Sequence, residues 1–287
     1  MQSTDEFLKQ EYPFQSRYIA TGNMRMHYVD EGEGPVVLLL HSWPAWSFSF
    51  RNLIKALSCD YRVIAPDMIG YGLSDKPDDY DYTLDNHVDN LERLIEELGI
   101  RKTSILMHGW GATVGCSFII RHPDKIETVI LMNSMAFTNY SLPFRLLPIR
   151  WIPWLAERFL ADTDLMFCGL SKLPKQIREV YKMPYRSHRD RIAIIRFISE
   201  MPCNPDDQSY ESLVDIEHGL WMFRDFPVLI IWAGEDWLYP ESCLQQWMQF
   251  CPNAKLRRIP RAGRFLPEEA SAEFIQMVRT FLEGNRS

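Results

Sequence analysis

The side chains in this 287-residue chain that could carry out a reaction gather in four short segments. They are His41-Ser42-Trp43-Pro44, His108-Gly109-Trp110-Gly111, Gly234-Glu235-Asp236 and Ala262-Gly263-Arg264-Phe265. Covalent catalysis needs a nucleophile, a histidine that activates it or a water, and an acid that orients the histidine. Asp236 is such an acid, and burial that raised its pKa would let it serve alone as a base. Ser42 is a weak nucleophile without a histidine beside it. His108 belongs to a strand whose alternation turns its side chain into the sheet. His41 reads as a brace for its loop, and His122, in Arg-His-Pro, as a helix-end residue. His188 and His218 fall in a proline-rich stretch; His218 is the better of the two as a substitute base, but both read first as solvated or core histidines. No His, Cys and Asp cluster has ligand spacing, so neither a metal nor a cofactor is expected.

Strands and helices must hold these loops. Arg17–Ala20 and Met24–Asp30 read as an opening strand pair around Thr21-Gly22-Asn23. Pro35–Leu40, Tyr61–Ala65, Ser104–Met107, Thr128–Met132 and Val228–Trp232 are short apolar runs that fit strands buried on both faces, and Leu256–Ile259 is a sixth. Thr83–Leu98 is an amphipathic helix, with Leu84, Val88, Leu91, Leu94, Ile95 and Leu98 on one face and Gly99 just past its end. Trp110–Arg121 and Glu268–Glu283 are two more. This alternation predicts an α/β fold with a mainly parallel sheet flanked by helices. From about Met135 to Arg224 the pattern changes. Prolines 143, 148, 153, 174, 184, 202 and 205 punctuate short helical segments carrying Trp151, Trp154, Phe159, Phe167 and Trp221. The expectation is a helical cap, 135–224, inserted into a core of 1–134 and 225–287 and seated over the carboxyl edge of the sheet, where open α/β folds bind ligands.

Seven segments, in order, resemble the α/β-hydrolases of the haloalkane dehalogenase and epoxide hydrolase group, and within it the β-lactone decarboxylases of bacterial olefin synthesis. Four are His41–Pro44, His108–Gly111, Gly263–Leu266 and Ile231–Asp236. The others are Pro66–Pro77 (Pro-Asp-Met-Ile-Gly-Tyr-Gly-Leu-Ser-Asp-Lys-Pro), Arg121-His122-Pro123 and Leu131-Met132-Asn133. The resemblance implies an α/β-hydrolase fold with an aspartate nucleophile at the position of Gly109, a histidine at that of Arg264 and the acid at Asp236. A second acid position falls on Asn133, which cannot act as a base. Glycine cannot form an ester, and arginine, with a pKa above about 12, cannot act as a base near neutrality. The covalent route is therefore absent. Since acid and histidine touch in this family, Arg264 is expected to pair with Asp236, its forked guanidinium satisfying both carboxylate oxygens. The backbone N–H groups of Trp43 and Trp110 are expected to converge as an oxyanion hole at a helix N-terminus. Trp110 takes the place of a halide-holding tryptophan, whereas its usual asparagine partner is replaced by Trp43.

The first reading is thus a catalytically degenerate hydrolase-fold protein that binds a small apolar molecule with a carbonyl, carboxylate or halide end at Trp43, Trp110 and His41. A related form is a repurposed non-hydrolytic enzyme acting by shape and oxyanion donors. The alternative is an active hydrolase of dehalogenase, epoxide hydrolase or β-lactone decarboxylase type with displaced catalytic groups. A protein partner in a complex is a third. With 31 basic and 38 acidic residues the net charge is −7, which argues against a nucleic-acid surface. No apolar run is long enough to span a bilayer. The polar, acidic start shows no signal peptide, and the six scattered cysteines read as thiols in a reducing, cytoplasmic compartment.

Overall fold

The computed structural model describes residues 4–139, 152, 155 and 172–286. Trp151, Trp154, Phe159, Phe167 and Cys168 lie outside the described residues. Eight strands form one sheet: β1 (Arg17–Thr21), β2 (Met24–Glu31), β3 (Val36–Leu40), β4 (Arg62–Pro66), β5 (Thr103–Gly109), β6 (Ile126–Ser134), β7 (Val228–Ala233) and β8 (Lys255–Ile259). Their order is β1-β2-β4-β3-β5-β6-β7-β8. β2 runs antiparallel to both β1 and β4, and all pairs from β4 through β8 are parallel. Each predicted strand is present, shifted at its ends by a residue or two. The central runs are apolar because both faces are covered: Leu38, Leu39, Ile105, Leu106, Ile130 and Ile230 are all fully buried.

Helices α1 (Thr4–Glu11), α2 (Arg51–Leu57), α3 (Leu84–Glu97) and α4 (Trp110–Arg121) precede the insertion. α3 starts where Thr83 Oγ1 accepts a hydrogen bond from Asn86 N, and it ends before Gly99, whose φ of 62° suits a left-handed cap. Its predicted stripe is buried as far as Ile95, with Leu98 half-buried. Between β6 and β7 come α5 (Lys175–Lys182), α6 (Ile192–Glu200) and α7 (Tyr210–Gly219), joined by 3-10 turns, with no strand among the described residues. α8 (Glu241–Phe250), α9 (Leu266–Glu269) and α10 (Ser271–Glu283) complete the chain.

The helix expected over 268–283 is in fact two, broken at Ala270 (φ −136°, ψ 39°). The break has a cause. Glu269 turns back, its carboxylate accepting hydrogen bonds from Gly263 N (2.9 Å) and Phe265 N (3.2 Å), while Ala270 O begins the next helix by accepting from Phe274 N.

The insertion sits on loops at the carboxyl ends of the parallel strands. Trp43 Nε1 donates to Ile194 O at 3.1 Å and Tyr71 OH to Ala193 O at 3.4 Å. Tyr185 OH donates to Pro44 O at 3.2 Å and accepts from Gly72 N at 3.1 Å. Deeper down, Arg51 and Glu268 form a buried two-pronged ion pair, and Tyr181 of α5 donates to Glu268 Oε1 at 2.8 Å. Burial and the adjoining Glu268 raise the Tyr181 pKa well above its usual value, which keeps its proton in place as a donor. Tyr181→Phe is expected to cost about 1 kcal/mol, because Glu268 keeps Arg51. A thermal melt lowered by roughly 2–4 °C would match that cost; an unchanged melt would contradict the contact.

Among the described residues no helix is long and apolar enough to cross a membrane.

Candidate functional site

The central feature is the turn from β5 into α4. Gly109 stands there with φ 57° and ψ −123°, a conformation that L side chains adopt only under strain. The β5–β6 register slips between His108 and Gly109, which pairs with Ser134 as the last residue of the strand. A strand ending in a sharp turn into a helix presents one residue at the top of the sheet. In this chain that residue has no side chain.

Another residue fills the space. A Cβ built on Gly109 would lie 2.1 Å from Ser42 Oγ, 2.8 Å from Ser42 Cβ and 3.3 Å from Tyr239 OH. Ser42 Oγ donates to Trp43 O at 3.2 Å and accepts from Arg264 Nη2 at 3.2 Å. Arg264 Nη2 also donates to Trp43 O. The guanidinium lies 5.6 Å from the Trp43 ring and 5.7 Å from the Tyr239 ring. Burial drives the Tyr239 pKa upward against the pull of Arg264, so this hydroxyl stays protonated.

Arg264 faces Asp236 as expected, but not as a fork. The contact is Nη1 to Oδ1 at 3.9 Å, too long for a hydrogen bond. Asp236 Oδ1 instead accepts from Leu238 N at 2.9 Å. Among the described residues neither Asp236 Oδ2 nor Arg264 Nη1, both buried, has a hydrogen-bond partner. The physical reason is competition: the other guanidinium nitrogen is drawn to Trp43 O and Ser42 Oγ, which holds the fork away from the carboxylate. Burial raises the Asp236 pKa and the Arg264 charge only partly offsets this.

The two loops are locked together. Gly234 N donates to Ile259 O and Glu235 N to Ala262 O, while Glu269 holds the N–H groups on either side of Arg264.

His41 is buried, with Nδ1 3.1 Å from Ser42 O and Nε2 accepting from Met68 N at 3.1 Å. Both ring nitrogens are thus used within the protein, and the ring braces its loop. His108 is buried, and desolvation, with the Arg264 and His41 charges, pushes its pKa down to about 3. It stays neutral, with Nδ1 unpartnered. His122 closes α4 and meets Glu92 Oε1 at 3.1 Å. His188 and His218 are both exposed, in keeping with solvated histidines, and neither ring can serve the buried site as a base. Asn133 ties β6 to β7 through both its amide atoms and Ala233.

Trp43 and Trp110 are both buried, and Phe197 of α6 lies against each of them. It stacks on Trp43 (5.1 Å, 23°) and meets Trp110 edge to face (5.0 Å, 75°). Sequence reasoning missed Phe197 and Tyr239. Neither belongs to a segment with a recognisable pattern, and each arrives through the tertiary fold. Among the described residues no group of three His, Cys, Asp or Glu side chains is arranged to hold a metal ion.

Comparison with known proteins agrees with this fold. The alpha/beta hydrolase fold family matches residues 35–165. A cis-3-alkyl-4-alkyloxetan-2-one decarboxylase of Shewanella oneidensis is 34% identical, over 94% of this chain and 89% of its own. Haloalkane dehalogenase 2 of Mycobacterium bovis is 28% identical, over 91% and 92%. The crystal structure of the haloalkane dehalogenase DatA from Agrobacterium tumefaciens superposes with a TM-score of 0.83 at 22% identity, covering 94% of this chain and 96% of that one. This last likeness concerns the fold alone.

Proposed function

The chain belongs to the α/β-hydrolase family, and from that premise we propose that it is a catalytically degenerate member that binds a small apolar ligand without forming a covalent bond. One observation carries the reading: Ser42 Oγ lies 2.1 Å from the point where any side chain at 109 would begin. A hydroxyl from a neighbouring loop has taken the volume a nucleophile would need, and Arg264 supplies a permanent cation where a base would be required. The three residues Ser42, Gly109 and Arg264 fit one another, as a settled arrangement would.

What remains suits recognition. Arg264 places a buried donor at one end of the site, and Trp43 and Trp110 give it aromatic walls. The ligand is an apolar molecule ending in a carbonyl, carboxylate or halide. Relatives named for an alkyl oxetanone and for haloalkanes support that class. The cap formed by the insertion covers the site. Among the described residues Cys59, Cys116, Cys243 and Cys251 are free thiols, which supports a cytoplasmic setting.

A second reading is an active hydrolase with displaced groups. It draws on Asp236, a buried acid with a raised pKa and one oxygen that has no hydrogen-bond partner among the described residues. The experiment compares the two. Purified protein is titrated with decanoate and 1-bromohexane by calorimetry, then incubated with a nitrophenyl ester, an epoxide, 1-bromohexane and a dialkyl β-lactone. Saturable binding without turnover is the expected result. Turnover above buffer that disappears in Asp236→Asn would replace the first reading with the second.

A further inference from the structure

We propose that Phe197 is an internal plug seated in the ligand slot, and that the ligand displacing it carries an aromatic ring with a hydrogen-bond acceptor attached. The proposal rests on the binding reading above and specifies its ligand. The slot is defined by what fills it. Phe197 lies nearly parallel to Trp43 and edge-on to Trp110, each centroid about one ring-contact away (5.1 and 5.0 Å). Both are geometries that aromatic pairs favour. A flat ring reproduces both contacts, whereas a puckered ring or an alkyl chain reproduces neither.

Trp43 is held in place independently of the plug's ring. Its indole N–H donates to Ile194 O, and the Arg264 guanidinium lies 5.6 Å from its ring. The acceptor requirement comes from Arg264. This side chain is 4% exposed, and its Nη1, 3.9 Å from Asp236 Oδ1, has no hydrogen-bond partner among the described residues. A guanidinium only donates, so the group that satisfies it must accept. Ser42 Oγ lies beside it, accepting from Nη2 and donating to Trp43 O.

The helix that carries the plug is held in place by the buried Ala193, Ile194 and Ile198 as well as by hydrogen bonds, so displacement is a movement of the Phe197 side chain and not of α6. Tyr71 and Trp43 donate to Ala193 O and Ile194 O, and Arg196 donates to Tyr80 O and Asp78 O. A ligand must first displace Phe197, so its apparent affinity is reduced by the small fraction of molecules with the slot open.

Calorimetry tests this with 3-phenylpropionate, its cyclohexyl counterpart, neutral 4-phenyl-2-butanone, and decanoate. The parent protein is expected to bind both phenyl compounds in preference to the cyclohexyl acid. Phe197→Ala is expected to bind 3-phenylpropionate about tenfold or more tightly than the parent, because no plug remains to be displaced. Phe197→Leu, which keeps bulk without a flat face, should also bind it more tightly, and it decides the matter alone if the alanine variant does not fold. If 3-phenylpropionate binds while the ketone does not, the acceptor must be charged and the proposal stands in that narrower form. Decanoate binding without phenyl preference, or affinity unchanged or lost in both variants, overturns the plug but leaves the binding reading intact. If no compound binds to parent or variants, both fall.

Discussion

Gly109→Asp by itself is expected to melt roughly 10 °C below the parent and to gain no activity, at a cost of about 2–4 kcal/mol. Two effects add. The backbone at 109 has φ 57°, where a side chain is strained, and the new Cβ would overlap Ser42 Oγ and crowd Ser42 Cβ. Rotating the serine hydroxyl relieves only the first of these overlaps. Ser42→Gly in the same chain removes both and should recover more than half the loss. That double variant, still carrying Arg264, has an attacking carboxylate but no base for water. Mixed with 1-bromohexane, it should release one equivalent of bromide and accumulate an aspartyl ester, visible as a hexyl increment in the intact mass. Adding Arg264→His should convert the stalled ester into turnover, raising steady bromide release at least about 10²-fold. Should Gly109→Asp melt with the parent, Ser42 does not occupy the nucleophile's space. Should the triple variant fold yet never alkylate, the assignment of position 109 is wrong.

Arg264→Met is expected to be the most damaging single change at the site, at about 3–5 kcal/mol, since it strands a buried carboxylate. The loss should depend on pH, with a definite sign. Asp236 is an acid whose folded pKa is raised by burial, so the native state holds its proton more tightly than the unfolded chain does. Its favourable contribution is complete below the ordinary aspartate value, near about 3.9, and is lost as pH rises through the higher folded value. Without Arg264 the folded pKa rises further and the window widens. Urea midpoints between pH 4 and 8 should therefore show the variant's deficit smallest at the acid end and largest at the alkaline end. Asp236→Leu/Arg264→Met should restore most of the stability, because removing both charges removes the stranded one. A flat deficit across this range would mean that Asp236 is not the group responsible.

Most of the sheet was legible because its strands are short apolar runs broken by loop residues, a signal that survives in a single sequence. Helix α8 was not, although Cys243, Leu244, Trp247 and Phe250 form a buried face at helical spacing; glutamines between them blurred the pattern. The division at Ala270 was hidden for another reason. It depends on Glu269 reaching back to a loop, which no local preference reveals. At the site, the sequence exposed the chemical losses at 109 and 264 but could not show that Ser42 and Tyr239 fill the gap. Nor could it show that Arg264 would prefer a backbone carbonyl to both oxygens of Asp236. Those outcomes turn on distances of a few ångströms among residues far apart in the chain.

The meeting of Ser42 with the bare backbone of Gly109 also constrains the order of events in descent. For any ancestor with a side chain at 109, acquiring the serine first would have meant a steric conflict, whereas losing that side chain first would have opened the room for it. The serine then acts as a ratchet: once present, it makes the single-step return of a side chain at 109 unfavourable, so reversion would have to pass through a glycine at 42.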